Sequence, residues 1–151
     1  MTLRRFHPRD VTEFVAYRSC EQVARFQSWD APYPRDEGER FVQQLAKEHP
    51  DTAGEWFQFA VALRPAGPLI GDCAAMPHAD DPRQCEIGFT VAPEHQGHGY
   101  ATEAVRLLLT YLFTRMNPPV RHLPWMVHGT WPVVTGGFAA RGRGTAAARC
   151  Q

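Results

Sequence analysis

The sequence predicts a single domain of the α/β class, on three observations. The chain of 151 residues is long enough to bury a sizeable core as one domain. Three apolar segments between residues 55 and 91 are typical of β-strands. The clearest amphipathic pattern in the chain follows them and predicts a helix over Tyr100–Thr114.

Two helices are predicted before the strands. Asp10 can act as an N-cap with Glu13 as its capping-box partner, which predicts a first helix over Val11–Cys20. A proline-bearing loop, Ser28–Pro34, leads to a second helix over Arg35–Glu48. The side chains expected to face the core from this second helix are Phe41, Val42 and Leu45.

The strands are expected at Glu55–Leu63, Leu69–Met76 and Gln84–Val91, and the first two form a hairpin around a proline- and glycine-rich turn. Alternation along the third strand separates two faces. One face carries Cys85, Ile87, Phe89 and Val91, and the other carries Glu86, Gly88 and Thr90. The helix Tyr100–Thr114 is expected to bury a single stripe of Ala101, Ala104, Val105, Leu108, Leu112 and Phe113.

Charge and hydropathy exclude several classes of function. The formal net charge is zero, so bulk electrostatics favour neither nucleic acid nor a membrane surface as a partner. No apolar run approaches the ~20 residues that a membrane span needs, and the charged opening predicts no signal peptide. We therefore expect a cytoplasmic protein.

The cysteines and histidines predict no metal site. The four cysteines have no metal-ligand spacing, and Cys73 and Cys85 are expected to be small buried side chains in a reducing compartment. His95 and His98 form a His-x-x-His pair, but they lie in a turn without further ligands nearby in sequence. Solvated loop side chains are the expected state of both.

The turn between the third strand and the last helix is the most informative segment. Gly97 and Gly99 allow a positive φ and a close approach of the backbone to a bulky anion. Ala101 is small where the helix begins, and the first turn of a helix offers unpaired N–H groups at the positive end of its dipole. The segment therefore indicates a phosphate or pyrophosphate site. A nucleotide P-loop is disfavoured, because the lysine of its motif is absent.

Here the sequence resembles the GNAT (Gcn5-related) N-acetyltransferases. Their signature Gln/Arg-x-x-Gly-x-Gly/Ala is matched by Gln96, Gly99 and Ala101. The run from Glu86 to Ala104, the opening of the chain and the hairpin sequence ending at Asp72 are similar to the RimJ/RimL branch. The resemblance covers roughly residues 1–115. It implies a mixed, largely antiparallel sheet flanked by helices, and acetyl transfer from acetyl-CoA to a primary amine without a metal.

The resemblance also implies roles for individual residues. The strand backbone expected to pair with the pantetheine arm is that of Phe89, Thr90 and Val91. The residues expected at the pyrophosphate are Gln96, Gly97, His98, Gly99, Tyr100, Ala101 and Thr102. The loop residues that correspond to the acceptor pocket are Trp29, Asp30 and Tyr33, for which plain loop packing is an equal alternative.

Glu86 is the candidate general base, acting directly or through a water. It shares a strand face with Gly88 and Thr90, so it can line the groove, where partial desolvation would raise its pKa toward neutrality. The alternative is a glutamate that pairs with a neighbouring cation or faces solvent. The acceptor is expected to be a protein N-terminus or a small-molecule amine.

The tail departs from the family pattern. All 16 acidic residues precede Met116, whereas residues 116–151 carry four arginines and no acid. We find neither the strand nor the Asn-x-x-Ser/Ala helix that follows in the family, so we expect an atypical tail from residue 116, disordered or in short strands. A shifted reading frame near Met116 explains this composition; a natural tail that packs differently is the alternative.

Two consequences follow from the missing elements. An uncovered sheet edge and helix face favour association, so we expect a homo-oligomer. The rival to catalysis is a truncated, non-catalytic GNAT domain that binds CoA or only self-associates.

Overall fold

The computed structural model of the chain describes residues 1–25, 27–116, 119 and 121, and the backbone of Val127–Gly129. Within these residues the chain forms four α-helices, which are α1 (Val11–Arg18), α2 (Glu21–Ala24), α3 (Arg35–Leu45) and α4 (Tyr100–Thr114). The strands are β1 (Thr2–Arg4), β2 (Phe57–Ala62), β3 (Leu69–Pro77), β4 (Cys85–Val91) and β5 (Val127–Gly129). Short 3₁₀ turns occur at Pro8–Asp10 and Pro93–His95.

The strands form one mixed sheet in the order β1-β2-β3-β4-β5. The first four are antiparallel neighbours, and β5 runs parallel to β4. The long register between β3 and β4 runs from Gly71 opposite Val91 to Pro77 opposite Cys85. This is the mixed, largely antiparallel sheet that the sequence predicted.

Helices cover both faces of the sheet. On one face, α4 packs Ala104, Leu108 and Leu112 against side chains that include Ile87 and Phe89 of β4. On the other face, α1 and α3 enclose a second cluster, which includes Phe14, Tyr17, Val42, Leu45 and Ala60. The buried face predicted for β4 is confirmed, and α4 has the predicted bounds. Phe113 is a correction, because it is 42% exposed and does not belong to the buried stripe.

The N-terminal cap of α1 also differs from the prediction. Asp10 makes no side-chain capping bond to α1. Its carboxylate instead accepts two hydrogen bonds from the Arg4 guanidinium, at 2.7 Å each, and one from the His7 N–H at 2.8 Å. A bidentate charged pair is stronger than a single capping bond to a neutral N–H, so the contact with β1 prevails over the local motif.

The ends of two helices differ from the predictions as well. The helix expected over Val11–Cys20 ends at Arg18, where Ser19 and an extended Cys20 separate it from the unpredicted α2. The helix expected to reach Glu48 ends at Leu45. Helix termini fray and are the least defined part of a periodic pattern, which accounts for errors of this size.

The strand that the sequence analysis did not find after α4 is present. The backbone of Val127–Gly129 pairs with Ile87–Phe89 of β4. Two prolines, Pro124 and Pro132, flank this segment and weaken its strand pattern in the sequence. Most of the tail predicted from residue 116 onward lies outside the described residues.

Candidate functional site

The turn between β4 and α4 is held in the conformation that its glycines predict. Gly97 and Gly99 have φ values of 77° and 78°. A Cβ built on either glycine would meet no atom within 4 Å, so the backbone conformation, and not lack of space, requires glycine. The same open space leaves the backbone of the turn accessible to a ligand.

The start of α4 lacks a side-chain cap among the described residues. Gly99 is the N-cap residue and carries no side chain, and no side-chain hydrogen bond caps the helix. Because a helix leaves its first N–H groups without intrahelical acceptors, those of Tyr100, Ala101 and Thr102 are available to an anion. The helix dipole favours negative charge at the same point.

Side chains of the turn brace it from within. Gln96 donates a hydrogen bond from Nε2 to the carbonyl oxygen of Val91 at 2.8 Å, which ties the turn to the end of β4. His98 Nδ1 lies 2.8 Å from the carbonyl oxygen of Gln96, and the His98 ring stacks on Tyr100 at 5.5 Å between centroids. The Gln96 side chain therefore faces the strand end.

Within the described residues, the strand β4 has neighbours on both sides along only part of its length. On one side β3 accompanies β4 as far as Val91. On the other side, pairing with the described part of β5 reaches Phe89 and includes neither Thr90 nor Val91. The backbone of these two residues thus lies where an extended ligand could form strand-like hydrogen bonds beside β4.

A cavity of about 890 Å³ lies on the face of the sheet opposite α4. Its floor is formed by β2, β3 and β4 through Gln58, Asp72, Ala74, Gly88 and Thr90. Its walls come from α1, α3 and the loop before α3, which contribute Arg18, Trp29, Tyr33 and Phe41. The volume is typical of a site for a small ligand, and the lining combines aromatic rings with a few polar groups.

A polar group of three side chains lies at the base of this cavity. Asp72 is 3% exposed and accepts a hydrogen bond from the Tyr17 hydroxyl at Oδ2. The Arg18 Nη2 atom lies 4.0 Å from the same oxygen and donates to Gln58 Oε1 at 3.1 Å. Burial raises the pKa of Asp72, while Arg18 and the Tyr17 hydrogen bond oppose that shift.

Aromatic rings hold the Arg18 guanidinium in place. Its central carbon lies 3.9 Å from the ring centroid of Trp29 and 4.2 Å from that of Phe14, with Tyr33 and Phe41 at 5.2 and 5.0 Å. Trp29 also donates a hydrogen bond from Nε1 to the Arg18 carbonyl oxygen at 3.1 Å. Cation–π contacts of this kind stabilise a desolvated arginine and fix the loop that carries Trp29.

The family follows from comparison with known proteins. The family model of the acetyltransferase (GNAT) domain matches residues 1–133. The chain belongs to the GNAT acetyltransferase family. Membership implies acetyl-CoA as the acyl donor of the family. In this chain the positive-φ Gly97 and Gly99 leave open space beside the turn before α4.

Individual GNAT relatives are distant. An uncharacterized N-acetyltransferase p20 of Bacillus licheniformis is 26% identical over 117 residues, which are 78% of this chain and 65% of that protein. A putative ribosomal-protein-serine acetyltransferase from Vibrio cholerae has a TM-score of 0.63 at 22% identity over 80% of this chain and 67% of its own. A chimera of the spermidine N-acetyltransferase SpeG from Vibrio cholerae with hSSAT has a TM-score of 0.57 at 27% identity, over 78% and 67%. The chain thus spans about two thirds of the length of these relatives.

The GNAT cavity brings together some of the residues that the sequence singled out. Trp29 and Tyr33, predicted for the acceptor, line it together with Phe89 and Thr90, predicted for pantetheine. Asp30 is exposed and does not line the cavity. The turn Gln96–Thr102 lies beyond the end of β4 and outside the cavity lining.

Glu86 occupies the predicted strand face, but its contact is with a histidine. Its Oε1 atom lies 3.3 Å from His78 Nε2, and its side chain is 13% exposed. It is opposite Met76 in the register of β3 and β4 and does not line the cavity.

Sequence analysis missed three polar residues of this GNAT cavity. Arg18 follows Phe14 by one helical turn on the buried face of α1, and Asp72 interrupts an apolar strand. Gln27 donates from Nε2 to Thr90 Oγ1 at 3.4 Å and links the loop to β4. A charged residue in an otherwise apolar face is the signal that could have identified the first two.

Two further findings concern the described part of the chain. None of its helices combines the length and the apolar character needed to cross a bilayer. It contains no group of three or more His, Cys, Asp or Glu side chains arranged to hold a metal ion. Cys73 is fully buried in the core, and burial raises its thiol pKa well above the usual range, which agrees with the structural role expected of it.

Proposed function

We propose that this protein transfers the acetyl group of acetyl-CoA to a primary amine by direct attack. The observation that carries the proposal is that residues predicted for the acceptor and residues predicted for pantetheine line the same cavity. Trp29 and Tyr33 of the acceptor loop line the same space as Phe89 and Thr90 of the strand proposed to hold the pantetheine arm. An amine bound in that space would lie next to the thioester.

The proposed coenzyme contacts are mostly made by backbone. The N–H and C=O groups of Phe89, Thr90 and Val91 would pair with the amides of the pantetheine arm. The residues proposed to surround the pyrophosphate are Gln96, Gly97, His98, Gly99, Tyr100, Ala101 and Thr102. Support comes from the two glycines with positive φ and from the uncapped start of α4.

Glu86 is the proton acceptor that the sequence predicts, acting directly or through a water. Its position on the strand face of Gly88 and Thr90 supports this role. The 3.3 Å contact with His78 supports the alternative of a structural pair. Steady-state kinetics of Glu86→Gln separate them, because a structural pair predicts nearly unchanged turnover.

The charge of the cavity favours a cationic acceptor. Glu37, Glu48 and Glu55 line it, and Arg18 is the one cation among its described lining residues. Amines are protonated in water, so these carboxylates would attract the acceptor before its deprotonation. We propose an acceptor that is either a small amine or a protein N-terminus of the RimJ/RimL kind, and both spermidine and a peptide amine belong in the test panel.

Calorimetry with CoA and a thiol-release assay over that amine panel test the proposal. Binding of CoA with acetyl-CoA-dependent thiol release is the expected result. CoA binding without release from any amine would support the non-catalytic alternative. Absence of CoA binding would contradict both the enzyme and the CoA-binding domain.

Three further expectations remain proposals. A homo-oligomer is supported by the exposed Phe113 of α4, and a monomer by light scattering at high concentration would contradict it.

A cytoplasmic location fits the use of acetyl-CoA. The frame shift near Met116 is tested by translating the DNA in the other two frames; the family match through residue 133 and the strand Val127–Gly129 favour a natural chain beyond Met116.

A further inference from the structure

A buried carboxylate lies at the floor of the cavity where the amine is proposed to bind. Asp72 stands opposite Thr90 in the register of β3 and β4, and both residues line the cavity with Gly88. Asp72 is 3% exposed, so water does not surround its carboxylate. A buried carboxylate is costly unless it is partnered, and its partners are therefore informative.

The partners of Asp72 occupy one of its two oxygens. The Tyr17 hydroxyl donates to Oδ2, and the Arg18 Nη2 atom lies 4.0 Å from the same Oδ2. Among the described residues no donor hydrogen-bonds to Oδ1. Asp72 lines the cavity, and a carboxylate oxygen that lacks a protein donor is available to a donor from a ligand.

We infer that Asp72 binds the ammonium group of the acceptor through Oδ1 and accepts its proton, an inference that rests on the proposed acetyl transfer. One N–H bond breaks as an O–H bond forms on Asp72. The freed lone pair attacks the thioester carbon, an N–C bond forms, and the C–S bond breaks with its electron pair leaving on the CoA sulfur. The bonded nitrogen then loses a second proton, which the departing thiolate takes up to give the CoA thiol, and Asp72 returns its own proton to solvent.

The position of Asp72 distinguishes it from Glu86. Glu86 precedes Thr90 by four residues on β4, which corresponds to about 13 Å along a strand. Asp72 of β3 is directly across from Thr90 of β4. Thr90 belongs to the strand segment proposed to hold the pantetheine arm. Asp72 lines the cavity in which the amine is proposed to bind, whereas Glu86 does not.

The surroundings of Asp72 suit a proton acceptor. Burial raises its pKa, and a base is most effective when its pKa approaches the working pH. The charged and titratable groups around it are Tyr17 and Arg18 of α1, with Cys73 next to it in β3, and Glu37, Glu48 and Glu55 in the cavity wall. Arg18 and the Tyr17 hydroxyl favour the ionised form and keep Asp72 able to receive a proton.

Two variants test the role. Asp72→Asn keeps the shape of the side chain but cannot accept a proton, so kcat/KM should fall by about 100-fold or more while CoA affinity is unchanged. Tyr17→Phe keeps the carboxylate and removes a donor that favours its charged form. The acid limb of the kcat/KM profile should therefore move to higher pH. Asp80→Asn, an exposed loop carboxylate, is the matched control and should match the wild type.

Each outcome bears on the inference. A folded Asp72→Asn with nearly wild-type kcat/KM overturns it, and so does a Tyr17→Phe profile whose acid limb does not move. If Asp72→Asn fails to fold, the Tyr17→Phe profile decides. A loss confined to Glu86→Gln assigns the proton to Glu86 instead. A wild-type protein that releases no thiol with any amine contradicts the acetyl transfer itself, and with it the role of Asp72.

Discussion

Gln96 Nε2 donates to the carbonyl oxygen of Val91 at 2.8 Å and thereby joins the glycine turn before α4 to the end of β4. The side chain of Gln96 thus contacts the strand, whereas its backbone is part of the turn. This contact couples the two segments that are proposed to hold pyrophosphate and pantetheine. The geometry of one therefore depends on the other.

Gln96→Ala should weaken CoA binding through this coupling. Loss of a hydrogen bond of about 0.5–1.5 kcal/mol corresponds to an increase in Kd of roughly two- to tenfold. Isothermal titration calorimetry with CoA measures the effect. Gln22→Ala, which truncates an exposed glutamine in α2, is the control and should leave Kd unchanged. Equal affinities for both variants would contradict the coupling.

Gly99→Ala should weaken CoA binding for a different reason. The position has φ 78°, and a Cβ added there would have no atom within 4 Å. Alanine therefore meets no steric clash but strains the backbone by about 1–2 kcal/mol. The turn can relieve this strain by leaving this conformation, which predicts a loss of affinity of about tenfold.

Gly54→Ala is the matched control for the glycine turn. Gly54 has φ 81° and lies beside Ala79, away from the turn. Gly54→Ala should lose at least as much stability as Gly99→Ala in thermal unfolding, because its Cβ would also lie 3.3 Å from Ala79 Cβ, whereas only Gly99→Ala should lose affinity for CoA. Unchanged affinity in Gly99→Ala would show that the turn does not need this conformation to bind the coenzyme.

The fold was more predictable from the sequence than the site, and the reason is the range of the interactions. The helix Tyr100–Thr114 follows from a local pattern of apolar residues after a glycine turn, and its bounds were predicted correctly. The cavity is assembled from Arg18, Asp72 and Thr90, which are far apart in the chain. Their proximity depends on strand register, which the sequence alone did not specify.

Asp10 illustrates how a contact with a neighbouring strand overrides a capping motif. Its spacing to Glu13 is typical of a capping box, yet Arg4 from β1 takes the carboxylate. The cost of burying a charge favours the partner that can neutralise it, and a helical N–H cannot. The capping pattern that starts at Asp10 does not include Arg4, so it does not reveal the competition between Arg4 and the helix for this carboxylate.

Gly71→Ala should destabilise the sheet beside the proposed coenzyme strand. A Cβ at this position would overlap the carbonyl oxygen of Thr90 and touch the Cα of Val91 at 3.0 Å. Both neighbours are backbone atoms and cannot rotate away, so we expect a loss of about 1–3 kcal/mol in the free energy of unfolding, as for overpacked cores. Urea denaturation measures this loss.

Gly67→Ala is the control for Gly71→Ala. Its Cβ would meet Arg64 Cγ at 2.8 Å, but that atom can move aside because the side chain is flexible and exposed. Its contacts with the backbone O and N of Arg64, at 3.2 and 3.4 Å, are longer than the backbone contacts at Gly71. The control should therefore lose much less stability. A Gly71→Ala protein as stable as the control would show that β3 and β4 can separate at Thr90 at little cost.

The ion pair of Arg4 and Asp10 should make stability depend on pH in the acid range. Burial raises the pKa of Asp10, but the hydrogen bonds from Arg4 and from the His7 N–H outweigh burial and leave it below its usual value of 3.8. The folded state thus holds this proton less tightly than the unfolded state. The contribution of the pair is complete above about pH 4 and is lost as the pH falls through the folded pKa.

Asp10→Asn isolates that contribution. Removing one partner of a buried pair should lower the free energy of unfolding by about 3–5 kcal/mol at pH 6, because Arg4 is left without its counter-charge. The difference between wild type and variant should shrink as the pH falls below 4, because the unfolded wild type then takes up the proton and the folded protein takes it up at lower pH. Urea denaturation of both proteins between pH 6 and about pH 2.5 gives the measurement. A difference that stays constant over this range would mean that the Asp10 carboxylate is not stabilised by its charge, and that its loss acts only through packing.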